Sequence, residues 1–286
     1  MKLPAWALVA IFALVVLASC SRGRGASSGP AARVVSLSPS TSEAIYAVGA
    51  QSALVGRSKF CDYPPAIAKL PQVGGYVDAS LEAILVLRPD LVIGARGPSG
   101  PGLTEKLGAR GITTYFPETE SFAQIDEMIL GVGARTGHDA DARRVVVALD
   151  ARVADIERAL AGKTRPRVLL VFGVEPIVAA GPHTFADEMV RRAGGENVVT
   201  DGTGYPTLGL ERVMALDPDV VLNAAMGEAQ AAEAISKSAP GWSSVRAVKT
   251  GRVVSVTDEA VLRPGPRIAD GLRVVARALH PDVALP

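Results

Sequence analysis

The chain has 286 residues, of which 48% are hydrophobic and 21% are charged, and its formal net charge is +1. This composition excludes an intrinsically disordered protein, and 30 lysines and arginines against 29 aspartates and glutamates give no positive field for binding nucleic acid. Two cysteines are too few for a disulfide-stabilised scaffold.

An apolar segment of thirteen residues, Ala5–Leu17, follows the basic start of the chain. It is shorter than the ~20 residues that a membrane-spanning helix needs, which is typical of a signal peptide. The segment Leu17–Cys20 (LASC) resembles the lipobox of bacterial lipoproteins. The resemblance implies a signal peptide over residues 1–19 and acylation of Cys20; an ordinary signal peptide before an unrelated cysteine is the alternative. Residues 20–32, rich in Ser, Gly and Ala, predict a flexible tether.

Short β-branched segments then alternate with amphipathic helical patterns. The predicted strands are Val34–Leu37, Leu54–Gly56, Leu91–Ile93, Thr113–Phe116, Val168–Phe172, Ile177–Ala179, Val220–Leu222 and Val253–Val256. Helical patterns lie at Ser42–Val48, Leu81–Leu87 and Phe122–Ala134. This alternation predicts an α/β fold with mainly parallel sheets and flanking helices.

Residues 139–162 form a segment without proline or internal glycine. Apolar residues recur in it every three or four positions, which predicts one long helix. Asp139 or Asp141 is a candidate cap for its start, and Gly162 ends it. We interpret this helix as a rigid connector between two halves of the chain; a peripheral helix of a single domain is the alternative.

The two predicted lobes, residues 33–138 and 163–286, repeat a sequence block. Residues 81–93 of the first lobe are paralleled by residues 210–222 of the second, 129 positions later. In each block a helix begins with Leu-Glu, a Pro-Asp pair ends it, and a buried strand follows. The predicted architecture is therefore two similar lobes joined by one long rigid α-helix.

Motifs from both lobes resemble those of one family. They are RVVSLSPS at 33–40, CDYPP at 61–65, LPQVGG at 70–75, GPHTF at 181–185, AGGENV at 193–198 and PGPRIADGL at 264–272. The chain resembles the helical-backbone (class III) periplasmic substrate-binding proteins of ABC importers for vitamin B12, haem and ferric siderophores. Residues 62–65 and 264–267 look most like the cobalamin-binding type.

The resemblance implies a receptor, not an enzyme, that captures cobalamin or a related corrinoid between its lobes and delivers it to an ABC permease dimer with its ATPase. A haem or ferric-siderophore receptor is the alternative, and a lipid-anchored envelope hydrolase is a remote one. The family docks through one glutamate on each lobe, which falls here on Glu82 and Glu211. We expect a monomeric extracytoplasmic lipoprotein without a resident cofactor or metal, anchored through Cys20.

Loops that follow the strands and face the other lobe are expected to hold the ligand. Aromatic rings there offer faces to a flat macrocycle, although each ring can instead pack on its own lobe. Arginines there can pair with a ligand carboxylate or phosphate. The candidate ligand contacts are Ser38, Pro39, Tyr63, Tyr76, Arg96, Phe185, Tyr205, Trp242 and Arg263. We interpret His183 as an exposed loop residue and Cys61 as a buried small side chain, rather than as metal ligands.

Overall fold

The computed structural model describes residues 29–75, 77–96, 100–225, 234–236 and 238–286. Its strands are β1 (Val34–Ser36), β2 (Leu54–Arg57), β3 (Leu91–Ile93), β4 (Thr113–Tyr115), β5 (Arg167–Val174), β6 (Ile177–Ala179), β7 (Glu196–Asn197), β8 (Thr207–Leu208), β9 (Val220–Asn223) and β10 (Val253–Ser255). Its α-helices are α1 (Pro39–Ala47), α2 (Leu81–Val86), α3 (Gly100–Gly108), α4 (Phe122–Thr136), α5 (Asp139–Ala159), α6 (Phe185–Arg192), α7 (Leu210–Leu216), α8 (Arg246–Lys249) and α9 (Ile268–Leu279). The alternation confirms the α/β prediction.

The N-terminal lobe contains a sheet of four parallel strands in the order β2-β1-β3-β4. Parallel strands need crossover connections, and α1, α2 and α3 supply elements of these crossovers. All four strands therefore end at the same edge of the sheet, and α2 and α3 begin near that edge because each returns antiparallel to the strands.

The C-terminal lobe contains a sheet in the order β10-β9-β5-β6-β8, with β7 paired to the start of β5. Strands β10, β9 and β5 are parallel, whereas β6 pairs antiparallel with β5 and β8 pairs antiparallel with β6. The strands β7 and β8 were absent from the sequence prediction because two residues are too few to show an alternating pattern.

Successive side chains of the buried strands enter different hydrophobic cores, as the pleat requires. In β1, Val34 lies in a core that both lobes share, and Val35 lies in a core of the N-terminal lobe alone. In β5, Leu170 lies in the shared core and Leu169 in a core of the C-terminal lobe. One face of each sheet thus contributes to the core that joins the lobes.

Helix α5 joins the lobes and has 21 residues, which makes it about 32 Å long. Its buried side chains Ala142, Leu149, Val153 and Ile156 belong to the shared core. The helix packs against α4 of the first lobe and α9 of the second. A continuous core along the connector resists bending, because packed interiors deform little.

The ends of two helices differ from the sequence prediction. Helix α1 begins at Pro39 instead of Ser42, because the Ser38 hydroxyl caps it and proline suits the first helical position. Helix α5 ends at Ala159, three residues before the predicted limit, and its cap residue His138 makes no side-chain capping bond. Asp139 therefore lies within the first turn, where its charge favours the helix dipole.

The chain enters the N-terminal lobe at the amino ends of its strands. The backbone N–H of Ala31 donates to the Arg135 carbonyl over 2.8 Å, and the N–H of Ala32 donates to Asp90 over 3.0 Å. The predicted signal peptide and Cys20 lie outside the described residues. Within the ranges that the structure describes, no helix is long and apolar enough to cross a bilayer.

Candidate ligand-binding cleft

The carboxyl edges of the two sheets face each other, and side chains on their loops meet. The loop after β2 contacts the segment after β10 through Asp62 and Arg263, and the loop after β4 contacts the second lobe through Glu120. Open α/β sheets bind ligands at this edge. The two lobes thus touch at two contact regions, and the space between these loops is the candidate ligand-binding cleft.

The first contact region is an ionic cluster of five residues, Glu43, Asp62, Glu259, Arg263 and Arg267, which we call the inter-lobe ionic cluster. Arg263 binds Asp62 with two hydrogen bonds of 2.6 and 3.2 Å and Glu259 at 2.8 Å. Arg267 binds Glu43 with two hydrogen bonds of 2.8 and 2.7 Å. Both arginines are therefore engaged by carboxylates of the protein itself.

Hydrogen bonding and charge fix the ionisation of this cluster. The hydrogen bond from Arg263 lowers the pKa of Asp62, with burial opposing it. Burial acts to lower the pKa of Arg263, but the hydrogen bond that it donates to Asp62 and the charges of the surrounding carboxylates raise it overall. Asp62 is therefore an anion at neutral pH and Arg263 a cation.

The backbone of the second lobe approaches the first closely beside this cluster. A Cβ atom on Gly265 would lie 3.3 Å from the Cα atom of Ser40, a distance that is tighter than most real contacts. Glycine at this position lets the 264–267 segment rest against the start of α1. The contact explains why glycine stands between the two prolines.

The second contact region is a pair of reciprocal helix caps. Glu120 of the first lobe accepts a 3.3 Å hydrogen bond from the N–H of Phe185, the first residue of α6. Glu188 of the second lobe accepts a 3.0 Å hydrogen bond from the N–H of Phe122, the first residue of α4. The Phe122 and Phe185 rings stack with centroids 6.1 Å apart. Each lobe thus stabilises a helix N-terminus of the other.

Arg192 extends this region to the connecting helix. It binds Glu188 at 2.8 Å and Glu157 of α5 at 2.9 Å, and its guanidinium lies 4.6 Å from the centroid of the Phe122 ring. One side chain therefore links α4, α5 and α6.

Two predicted ligand contacts present rings at the cleft. Tyr63 is 44% exposed, and the Arg267 guanidinium lies 4.0 Å from its ring centroid, so one face is covered from behind. Tyr205 is 42% exposed, packs edge-on against Phe172 and donates to Glu120 over 3.4 Å. Burial and the Glu120 charge raise the pKa of Tyr205, so it stays a protonated donor.

Other predicted contacts have packing or capping positions. Phe185 and Trp242 are each 5% exposed, the first in the shared core and the second in the C-terminal core. The structure therefore corrects the expectation that these rings offer a stacking face, because their own lobes cover them. The buried Ser38 hydroxyl caps α1 and accepts from the N–H of Ala95, and Pro39 is the first residue of that helix.

Arginine side chains predicted to bind ligand anions have protein partners. Arg263 belongs to the inter-lobe ionic cluster, and Arg96 pairs with Glu118 at 2.8 Å. Tyr76 lies outside the described residues. His183 is exposed, and Cys61 is 1% exposed with its thiol 3.2 Å from the Ser58 hydroxyl.

Glu82 and Glu211 occupy equivalent positions on the two lobes. Each is the second residue of its helix, α2 or α7, and each is exposed. These helices precede β3 and β9, so both begin at the edge where the strands end. Both carboxylates therefore lie on the cleft side of the molecule, opposite the edge where the chain enters.

Sequence reasoning missed the acids that join the lobes, Glu43, Glu120 and Glu188. Glu43 is 4% exposed, and a buried acid beside apolar neighbours signals a hidden cationic partner. The other two acids carry no comparable signal. Each accepts a hydrogen bond from a helix end that is more than 60 positions away in the sequence.

Residues 34–260 match the periplasmic binding protein family. The chain belongs to this family. It is a periplasmic binding protein of the ABC-transporter type, in the group of vitamin B12, haem and siderophore binders.

Individual relatives differ in what they bind. An ABC transporter substrate-binding lipoprotein of Bacillus subtilis is 28% identical over 87% of this chain and 80% of its own length. A vitamin B12-binding protein of Yersinia pseudotuberculosis is 32% identical over 67% of this chain and 69% of its own. A periplasmic haem-binding protein of Pseudomonas aeruginosa superposes with a TM-score of 0.77 at 29% identity, over 90% of this chain and 95% of that one.

Proposed function

We propose that this periplasmic binding protein captures cobalamin or a related corrinoid between its lobes and delivers it to an ABC permease. The observation that carries the ligand class is the pairing of the cleft arginines Arg263 and Arg267 with protein carboxylates. A macrocycle edged by neutral amides needs no free cation, whereas the propionates of haem gain most from an unpaired arginine.

Aromatic faces support the same ligand class. Tyr63 offers one face of its ring to the cleft, and Tyr205 stands on the opposite lobe, where its oxygen can accept a hydrogen bond while its proton is donated to Glu120. A flat, partly apolar ligand gains from stacking on the first and from a hydrogen bond to the second. The similarity to a vitamin B12-binding protein agrees with this assignment.

Haem is the second candidate ligand, because a haem-binding protein superposes over nearly the whole chain. Calorimetric titration of the purified protein with cyanocobalamin, hemin and a ferric siderophore separates the candidates. We expect reversible binding of cyanocobalamin with one ligand per chain. Binding of hemin without measurable heat for any corrinoid would contradict the corrinoid assignment and leave a haem receptor.

The remaining parts of the proposal concern delivery and anchoring. Glu82 and Glu211 would contact the permease dimer, one glutamate for each subunit, and the ATPase would drive import. Acylation of Cys20 would hold the protein at the membrane surface, as the lipoprotein relative suggests. The captured molecule is cargo in this scheme, and the receptor needs no resident cofactor.

Anchoring is tested by labelling cells with a fatty-acid probe. Cys20→Ser should remove the label because the sulfur accepts the acyl chain, whereas Cys61→Ser is the matched control and should keep it, since that thiol is buried. Label on the Cys20 variant equal to that of the native protein would place the anchor elsewhere.

A further inference from the structure

We propose that Asp62 and Glu259 are specificity-determining residues: they occupy Arg263, so that the cleft accepts a macrocycle with a neutral, amide-edged rim and disfavours one with carboxylates. The inference rests on the proposed function and deepens it. It assigns the selectivity of the receptor to two acids, although the candidate ligand contacts were chosen mainly among aromatic and arginine side chains.

The geometry of Arg263 carries the first step. Asp62 takes both ends of its guanidinium fork, at 2.6 and 3.2 Å, and Glu259 binds one end at 2.8 Å. Glu43 lies 3.6 Å from the same group. A planar fork of this kind recognises one carboxylate in two-point fashion, and Asp62 already fills that position.

Charge balance carries the second step. The inter-lobe ionic cluster has two cations and three carboxylates, so its formal charge is negative. The lowered pKa of Asp62 keeps this balance at neutral pH. An anionic ligand edge that approaches the cluster meets a net negative charge, which repels it.

Accessibility carries the third step. The Asp62 side chain is 57% exposed and the Arg263 side chain 14% exposed, so the pair is at the surface of the cleft and is not sealed in a core. Tyr63, the exposed ring next to Asp62, is a proposed ligand contact. A ligand stacked on Tyr63 therefore brings its edge close to the Asp62 and Arg263 pair.

Three further cations in the described part of the loops at this edge have carboxylate partners as well. Lys59 pairs with Asp78 at 3.2 Å, Arg96 with Glu118 at 2.8 Å, and Arg267 with Glu43 at 2.7 Å. The same pattern at four cations indicates a cleft whose positive charges are balanced before a ligand arrives.

The test compares two ligands that differ by one group. Dicyanocobinamide carries only amides on its rim, and a derivative with one peripheral amide hydrolysed carries a carboxylate in its place. The full chain, its Asp62→Asn variant and its Asp62→Asn/Glu259→Gln double variant are titrated with both, and the ratio of the two dissociation constants is measured. Asp155→Asn is the matched control, since it removes the acid that binds Arg158 on the exposed side of the connecting helix.

We expect the native protein to prefer the amide ligand. The single variant should shift the ratio several-fold toward the carboxylate ligand, and the double variant by about tenfold or more, because it leaves the fork of Arg263 open and the cluster positive. High salt should weaken the new preference, and the control should keep the native ratio. Arg263 keeps Glu43 in every variant, so its charge is never left without a partner.

An unchanged ratio in both variants, with thermal unfolding that shows them folded, overturns the inference and leaves the proposed function standing. Absence of binding of both cobinamides and of cyanocobalamin to the native protein overturns the proposed function. A native protein that binds hemin more tightly than dicyanocobinamide contradicts both, because it would accept two carboxylates with Arg263 occupied.

Discussion

Single side chains decide how this cleft is closed and what it can hold. Glu43 is 4% exposed, and Arg267 gives it two hydrogen bonds from the other lobe. Such an ion pair adds little to folding stability compared with a well-packed apolar pair. Removing one partner, however, leaves the other as an unpaired buried charge and destabilises the protein by about 3–5 kcal/mol. The pair therefore fixes the relation of the lobes more than it adds to stability.

Tyr63→Ala should weaken corrinoid binding by about fivefold, because loss of a stacked ring costs roughly 1 kcal/mol. Tyr63→Phe is the control, since it keeps the ring and its contact with Arg267. Calorimetry with cyanocobalamin measures both. Equal affinity of the alanine variant and the native protein would remove Tyr63 from the ligand site.

Asp126 makes the stability of the lobe junction depend on pH. Burial, with a contribution from the nearby Asp150 charge, raises its pKa to about 6 in the folded protein, against 3.8 as the ordinary value. The folded state thus holds the proton more strongly than the unfolded chain does. The stability that this group contributes is complete below about pH 4 and is lost as the pH rises through 6.

Asp126→Asn should therefore raise the melting temperature at pH 7.5 by roughly 1–3 °C and change it little at pH 4. The increase is small because Asp126 is only half buried and solvent screens its charge. Melting curves at both pH values test this, with Glu127→Gln on the same helix as control. An Asp126 variant with the same shift at both pH values would contradict the assigned ionisation.

At the scale of elements, the reciprocal caps join two helices of different lobes. Each helix also has its own cap, Ser121 for α4 and Thr184 for α6, so the two glutamates satisfy further N–H groups at the same ends. This arrangement couples the start of each helix to the position of the other lobe. A hinge motion that separated the lobes there would break both bonds and the stacked rings together.

Glu120→Ala and Glu188→Ala should each lower the free energy of unfolding by about 1 kcal/mol, the usual range for a lost cap. The double variant should lose less than the sum, because one substitution already loosens the joint that the other supports. Denaturant unfolding measures the cycle, and Glu105→Ala on the outer helix α3 is the control. Strict additivity would show that the two caps act independently.

At the scale of the whole molecule, the two ends of each sheet have different roles. The chain enters at the amino ends of the first sheet, where Asp90 binds the N–H groups of Ala32 and Arg33. Glu82 and Glu211 lie at the opposite edge, beside the cleft. A permease that contacts both glutamates would therefore meet the open side of the receptor.

Glu82→Lys and Glu211→Lys should leave corrinoid affinity in solution nearly unchanged and reduce transporter-dependent uptake, most severely in the double variant. If the glutamates dock on a cationic partner surface, each substitution would replace attraction by repulsion. Uptake of labelled cobalamin at equal protein level is the measurement, with Glu105→Lys as control. Full uptake by the double variant would show that both glutamates only stabilise the N-termini of their helices and do not contact the permease.

The sequence by itself determined the fold class, the two-lobe repeat and the connecting helix. These follow from local patterns: buried strands of β-branched residues, an uninterrupted helical period predicted over 139–162, and Pro-Asp breaks at matching positions. It also pointed to Tyr63 and Tyr205 as candidate ligand contacts, because aromatic residues in Gly- and Pro-rich loops have no place on a periodic helix face.

Only the tertiary structure decided which of the candidate side chains are available. Arg263 and Asp62 are 201 positions apart and bind each other, and Phe185 and Trp242 are covered by cores that their loops do not reveal. A periodic pattern records which face of an element is buried, whereas the partner of a charged loop residue depends on how two lobes meet. That arrangement is set by the shared core along α5, which no single segment of the sequence contains.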